Sequence, residues 1–351
     1  MPSVMRLTQF KHVDLADPFF DSLKAAYKEF PAWFEKKADE PVYVSEGAGA
    51  AIQGFLYLKK ESGPVTDVSP PLPPAERLKV GTLKIVAHGS KLGERFIKKI
   101  FDNAIDKDVD EIYVTVFEEH VGLIRLLKRY GFNEHSTKTT PNGTELVFVR
   151  SLKMVTGDIR RDYPLIHIKG RKKYLLAIYP QFHTRLFPDS ILNNENPSII
   201  EDLSYTNSIH KVYITFTHVG KLNPGDILVI YRCSDNKGPA KYRSVVTSVC
   251  VVEEVKSRKD FSNLSDFVKY TKPHSVFSRE ELESDWWNTG KPLYVIRMTY
   301  NAAFGKRTTR GNLLEALGKS SRTYINFYPL TDAEFDQVAE MGKVHEGLIV
   351  D

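Results

Sequence analysis

Residues 83–100 hold the pattern best suited to chemistry. Leu83-Lys84-Ile85-Val86 reads as the end of an apolar strand, and Ala87-His88-Gly89-Ser90-Lys91 as a short turn. Leu92, Phe96, Ile100 and Ala104 then repeat at helical spacing. A helix that begins straight after a strand points its unpaired N–H groups and its positive dipole end at the turn, which makes an anion site. Gly89 and Gly93 let backbone approach whatever sits there. On this reading the anion is lined by Ile85, Val86, Ala87, His88, Gly89, Ser90, Lys91, Leu92, Gly93 and Glu94. Groups able to move a proton follow the next strand: Glu118, Glu119 and His120 cluster after Phe117, and Tyr130 precedes Gly131-Phe132. The chemistry open to such a set is proton transfer beside a bound anion.

The elements that must position these residues read as follows. Met5–Val13 is a strand. Pro18 starts a helix with Phe19, Leu23, Tyr27 and Phe30 on one face, and Pro31 opens a second short turn or helix with Trp33 and Phe34. Two strands at 42–45 and 51–59 flank a glycine turn. Residues 63–74, with five prolines, read as an exposed loop. A strand at 78–86, a helix at 91–107, a strand at 111–117 and a helix at 121–130 ended by Gly131 come next. A hairpin turned at Pro141-Asn142-Gly143 closes the first half. Residues 152–164 lose this rhythm. After them come β-rich runs at 174–179, 211–216, 227–231, 244–253 and 293–300, with capping-box helix starts at Ser278 and Thr331. These assignments predict an α+β chain: a mixed twisted sheet with flanking helices over 1–152, a linker at 153–164, and a β-barrel with peripheral helices over 165–351.

Composition narrows the classes. The chain has 351 residues and a net charge of +5. Residues 1–150 hold 21 basic and 21 acidic residues, so the excess lies wholly in 151–351, with 28 against 23. That asymmetry points to an anionic partner for the second half. No apolar run is long enough to span a bilayer, which argues against membrane residence. Two cysteines, Cys233 and Cys250, sit in apolar strand-like runs, as reduced core thiols in a cytoplasmic protein would. No metal site is expected.

The element order of the first half, with two motifs, resembles the GNAT superfamily of N-acetyltransferases. Members carry Gln or Arg, two residues, Gly, one residue, then Gly or Ala between a strand and a helix. Aligned on Gly93, this chain reads His88-Gly89-Ser90-Lys91-Leu92-Gly93, with His88 at the basic position and Lys91 at the middle glycine. The second motif keeps Gly131-Phe132, puts His120 where members have Asn, and Leu127 where they have the Tyr that protonates the leaving thiolate. Tyr130 lies three residues further on. The resemblance implies that the cofactor is acetyl-CoA, held through its pyrophosphate, and that Glu119, His120 and Tyr130 are the candidates for base and acid.

Lys221-Leu222-Asn223-Pro224-Gly225-Asp226 leads into the apolar strand Ile227–Tyr231, and the long strand Tyr242–Glu253 follows. This pairing resembles the PUA-like superfamily with its ASCH and EVE branches, without the Lys-x-x-Glu-x-Arg pattern of many ASCH domains. The resemblance implies binding of nucleic acid, RNA rather than DNA. The residues offering cations and rings are Lys169, Arg171, Lys172 and Lys173, the run Phe182-His183-Thr184-Arg185, and the pair Trp286-Trp287. The whole chain then reads as an N-acetyltransferase acting on an amine of a charged tRNA, a base or a protein lysine. By analogy with single-domain relatives a toxin–antitoxin role, with an antitoxin as partner, is one route consistent with this architecture, and the second domain could make it a homodimer. The alternative is a weak transferase scaffold carrying an RNA or modified-base binding module.

Overall fold

A computed structural model describes residues 4–47, 51–86, 92–187 and 208–351. The chain forms two compact units, Met1–Asp162 and Tyr163–Asp351.

The first unit is built on one seven-stranded sheet. Its strands are β1 (Val4–Gln9), β2 (Pro41–Glu46), β3 (Ile52–Val65), β4 (Leu72–Ile85), β5 (Glu111–Phe117), β6 (Asn133–Thr140) and β7 (Gly143–Ser151), in the order β1-β2-β3-β4-β5-β7-β6. Among the described residues of this sheet only β4 and β5 pair in parallel. The helices are α1 (Asp21–Ala26), α2 (Phe30–Lys36), α3 (Leu92–Asp106), α4 (Val121–Arg129) and α5 (Ile159–Asp162). An aromatic core seats α1 and α2 on the sheet: Phe10 meets Phe34, Tyr57 and Phe55 edge-on at 4.8, 5.2 and 5.4 Å.

Three sequence expectations shift here. The expected strand from Met5 to Val13 stops at Gln9, and Phe10–His12 make a 3-10 turn. The single helix expected after Pro18 breaks at Tyr27, whose backbone is extended. The proline-rich 63–74 stretch is the far part of a hairpin, with Val65 paired to Leu72 and Gly63 to Ala75. Prolines fit because β5 begins to pair with β4 only at Arg77, so Pro73 and Pro74 owe no N–H to a neighbour on that side. Residues 153–162 belong to the first unit. Asp162 is buried and accepts from the Thr156 amide and hydroxyl at 2.8 and 2.7 Å and from the Gly157 amide at 2.7 Å.

The second unit is also α+β. Its main strands are β9 (Lys173–Ile178), β10 (His210–Thr215), β11 (Ile227–Arg232), β12 (Val245–Ser257), β13 (Tyr294–Thr309) and β14 (Phe327–Leu330). Short β8 (Ile166–His167) and β15 (Ile349–Val350) pair separately. Each strand expected from β-branched and aromatic runs is present. The six main strands order as β10-β13-β12-β11-β9-β14. Among the described residues this sheet is open, not a closed barrel, with β10 and β14 at its edges and four-residue β14 carrying Pro329. The helices are α6 (Pro180–Leu186), α7 (Ala240–Arg243), α8 (Leu264–Thr271), α9 (Arg279–Trp287), α10 (Arg310–Ala316) and α11 (Asp332–Met341). The capping boxes at Ser278 and Thr331 form as expected. Among the described residues no helix is long and apolar enough to cross a membrane.

Candidate active site

Strands β4 and β5 pair only over Arg77–Val80 and Glu111–Val114. Past Val80 a bulge interrupts the β3–β4 register, and the two strands part company. Thr82–Ile85 stay with β3, while Thr115–Phe117 stay with β7. The result is a wedge open between Thr82–Ile85 and Thr115–Phe117. Val86 donates its amide to Gln53 at 2.8 Å, so by alternation the amides of Leu83 and Ile85 face the wedge. Ile85 was expected to line this site; Leu83 was not.

Gly81 makes the bulge possible. A Cβ there would lie 2.7 Å from Cδ1 of the buried Tyr57 ring. Gly81→Ala is expected to cost about 1–3 kcal/mol in urea unfolding by overpacking; an unchanged midpoint would show that the bulge tolerates a side chain.

Of the residues expected at the anion site, Ala87, His88, Gly89, Ser90 and Lys91 lie outside the described residues. Leu92 is buried at the start of α3. Gly93 turns its bare face to α4, where a Cβ would meet Leu126 Cδ2 at 2.9 Å, so this glycine serves helix packing. Glu94 accepts a hydrogen bond from the Tyr130 hydroxyl at 3.1 Å. Tyr130 itself has no exposed surface. It joins α4 to α3 in the core and is not presented to solvent as a proton donor would be. Glu119 and His120 stand exposed on the turn after β5, with His120 at the N-cap of α4.

On the β5 side of the wedge, one strand further out, lies a second set of polar groups that sequence spacing did not reveal. Glu145 on β7 lies opposite Phe117 in the register and is nearly buried. Its Oε1 accepts from the Tyr27 hydroxyl at 2.7 Å and from the Thr115 hydroxyl at 3.1 Å. The Tyr27 ring packs on Phe117 at 5.5 Å. Burial first, then the bond to Glu145 and the charges of Glu145, Glu29 and Glu119, holds the Tyr27 phenol well above its ordinary value, so it stays protonated at neutral pH. Asn142 donates to Glu29 at 2.8 Å from the β6–β7 turn. Lys84 of β4 anchors the segment before α1 by donating to the Phe19 carbonyl and to Ser22 Oγ, with its ammonium 4.9 Å from the Phe19 ring. Three carboxylates thus surround one neutral phenol. A cation is the ligand such a place attracts.

In the second unit the expected basic run divides. Lys169, Arg171 and Lys172 are exposed. Arg171 lies across Gly225, and its Nη1 donates to the Pro224 carbonyl at 3.2 Å. Lys173 is buried and spent on Asp332 and the Ile168 carbonyl, both at 2.6 Å, so it is not available to a phosphate. Arg185 pairs with Glu281 at 3.4 Å. Trp286 packs on Phe267 at 5.3 Å, with Arg258 over its ring, while Trp287 is 67% exposed. His183 and Thr184, expected near a ligand, are buried. Burial, aided by the charges of Arg232 and Arg307, pushes His183 down to about 3, and its Nε2 lies 2.8 Å from the Thr247 hydroxyl.

An unfolded histidine takes up its proton near pH 6.5, whereas folded His183 resists protonation down to about 3. The unfolded state therefore binds more protons in that window, and stability is lost as pH falls through it. The expected contribution is about 1.4 kcal/mol per pH unit, absent in His183→Gln. Urea titrations of both proteins at pH 7 and pH 5 check this; equal slopes would refute it.

Comparison with known protein families and with curated proteins finds no match. Among solved structures, an ASCH protein from Zymomonas mobilis is similar at 10% identity over 49% of this chain and 96% of its own, with a TM-score of 0.34. An N-acetyltransferase from Staphylococcus aureus Mu50 is similar at 14% identity over 44% of this chain and 100% of its own, with a TM-score of 0.33. The NatC complex bound to Gag peptide and CoA is similar at 14% identity over 42% and 98%, with a TM-score of 0.31.

Proposed function

We propose that this chain is an acetyl-CoA-dependent N-acetyltransferase. On this reading its first unit modifies a cationic amine, and its second unit engages a nucleic acid that carries or accompanies the acceptor. The single observation that carries the reading is the wedge past Val80, with Glu145 and Tyr27 beyond its β5 side and the Leu83 and Ile85 amides facing it from β4. The wedge fits an acyl-CoA arm: its β4 side offers strand amides, and α3 starts beyond it. The thioester, when bound, supplies an activated acetyl group.

The protein's own part is modest. Leu83 and Ile85 N–H groups are oriented to polarise a carbonyl oxygen. Glu145, with Glu119 and Glu29 near, draws in an ammonium and takes one proton from it, freeing the lone pair with which the amine nitrogen bonds to the acetyl carbon; the carbon–sulfur bond breaks, and the second proton of the nitrogen leaves with the thiol. The Tyr27 hydroxyl holds Glu145 in place. Acceptors with this chemistry are the amino group of a charged tRNA, a base amine or a protein lysine. A toxin role would add an antitoxin partner.

The test is acetyl transfer from labelled acetyl-CoA to total RNA and total protein, alongside thermal unfolding of the full chain. Excess acetyl-CoA should raise the unfolding temperature by several degrees. No stabilisation and no transfer would remove the transferase reading.

A further inference from the structure

One end of the second sheet gathers features that neither the wedge nor the basic run explains. Strands β9 and β11 run parallel and finish level, Ile178 beside Arg232. There β12 begins, with Val245 opposite Arg232, and β13 ends, with Thr309 opposite Val245. Three large rings stand out from this end: Tyr179 just past β9, Tyr242 in α7 and Tyr324 before β14, at 61%, 64% and 80% exposure. They come from separate parts of the chain but are tied to one level. Ala177 donates to the Asn326 carbonyl at 2.8 Å, continuing the β14–β9 register toward Tyr324 and Tyr179. Arg310 donates its amide to Ser244 at 2.8 Å, Nη1 to the Tyr231 hydroxyl at 3.4 Å and Nη2 to the Thr323 carbonyl at 2.7 Å.

Charge at this end is net positive. Residues 234–243 and 310–325 hold six Lys or Arg against two acidic residues, a net +4 within a chain of net +5. Asp235 is already engaged by Arg243 at 2.5 Å. The Lys241 stem runs across Gly311, where a Cβ would meet its Cγ at 2.8 Å, and its ammonium lies 5.5 Å from the Tyr242 ring.

We propose that this rim, resting on the nucleic-acid reading above, docks a single-stranded nucleic acid. Cations here meet phosphates, and the exposed rings offer stacking faces to unpaired bases. A duplex keeps its bases stacked on one another and has nothing to give these rings. An acidic peptide would use the cations but not three exposed tyrosines. The rim is also separate from Lys169, Arg171 and Lys172, which precede the other end of β9, roughly 17 Å away along the strand.

The test is fluorescence anisotropy of the full chain with labelled oligouridylate and oligothymidylate of about 12 nucleotides, a site length typical of such surfaces. A duplex of the same length and an oligoglutamate peptide are run beside them. The double variant Tyr242→Ala/Tyr324→Ala should weaken single-strand binding about tenfold or more, since each stacked base contributes about 1–3 kcal/mol. Lys241→Glu/Arg322→Glu should weaken it and flatten its salt dependence. Lys169→Glu/Lys172→Glu, at the basic run, should weaken it less than either rim variant does. All these positions are exposed, so folding is not at stake. Preference for uridylate over thymidylate, or the reverse, identifies RNA or DNA as the source, and either supports the rim. If the rim variants bind like the parent while the Lys169/Lys172 variant fails, the rim is wrong and the nucleic-acid reading stands. If the parent binds no oligonucleotide, that reading falls and the rim with it. Equal binding of duplex or oligoglutamate overturns the stacking argument.

Discussion

Glu145→Gln is expected to lower kcat/KM for acetyl transfer by about 10²–10⁴-fold, the usual contribution of a positioned general base. The amide is isosteric and still accepts from the Tyr27 hydroxyl and from Thr115, so the wedge keeps its shape. What it loses is the ability to take a proton and the charge that attracts an ammonium. Acetyl-CoA should therefore stabilise Glu145→Gln as it stabilises the parent. Tyr27→Phe removes the donor that orients the carboxylate, and a smaller loss follows. Steady-state kinetics with thermal shift on each variant read these effects separately. Should Glu145→Gln turn over at the parental rate while Glu119→Gln or His120→Ala fails, the base is in the exposed turn after β5, as sequence spacing alone had suggested.

Arg77→Met is expected to destabilise the first unit by about 3 kcal/mol, near the lower end for a broken buried ion pair. Arg77 is 1% exposed, and every arm of its guanidinium is engaged. Nε donates to Glu111 at 2.8 Å, Nη1 to the Gly63 carbonyl at 2.9 Å and Nη2 to the Pro73 carbonyl at 2.5 Å. Those three bonds fasten the proline-rich hairpin to the parallel β4–β5 pair just before the strands diverge. Glu111 is a quarter exposed, which lets water soften the loss and keeps the figure from being larger. Arg6→Ala, breaking the exposed pair with Glu46, should cost less than about 1 kcal/mol. Urea unfolding of the three proteins decides it; equal costs for Arg77→Met and Arg6→Ala would mean the hairpin root is not held by Arg77.

Both predictions concern residues that spacing along the chain could not bring together. Tyr27 and Glu145 are 118 positions apart, and Tyr27 read as a helical core residue. Only the break of the helix at Tyr27 and the pairing of β7 with β5 give them a shared hydrogen bond. Lys173 shows the converse. In sequence it extends a basic run, but alternation along β9 turns its side chain inward to Asp332, 159 residues away. Distance from a motif makes Tyr130 an acid candidate, whereas its full burial follows from how α4 meets α3 across Gly93.

What the amino-acid order determined on its own was local: the strands and helices with clear apolar period, among them the strand ending at Ile85 and the helix starting at Leu92, and the capping boxes at Ser278 and Thr331. Such features depend on neighbours within a few residues, where propensity and periodicity act directly. What the tertiary structure alone decided was which side chains share a place. The wedge exists because β4 changes register at Gly81 and follows β3 while β5 follows β7. The tyrosine rim exists because two parallel strands end level. Both arise from pairings between strands distant in sequence, and no window along the chain carries that information.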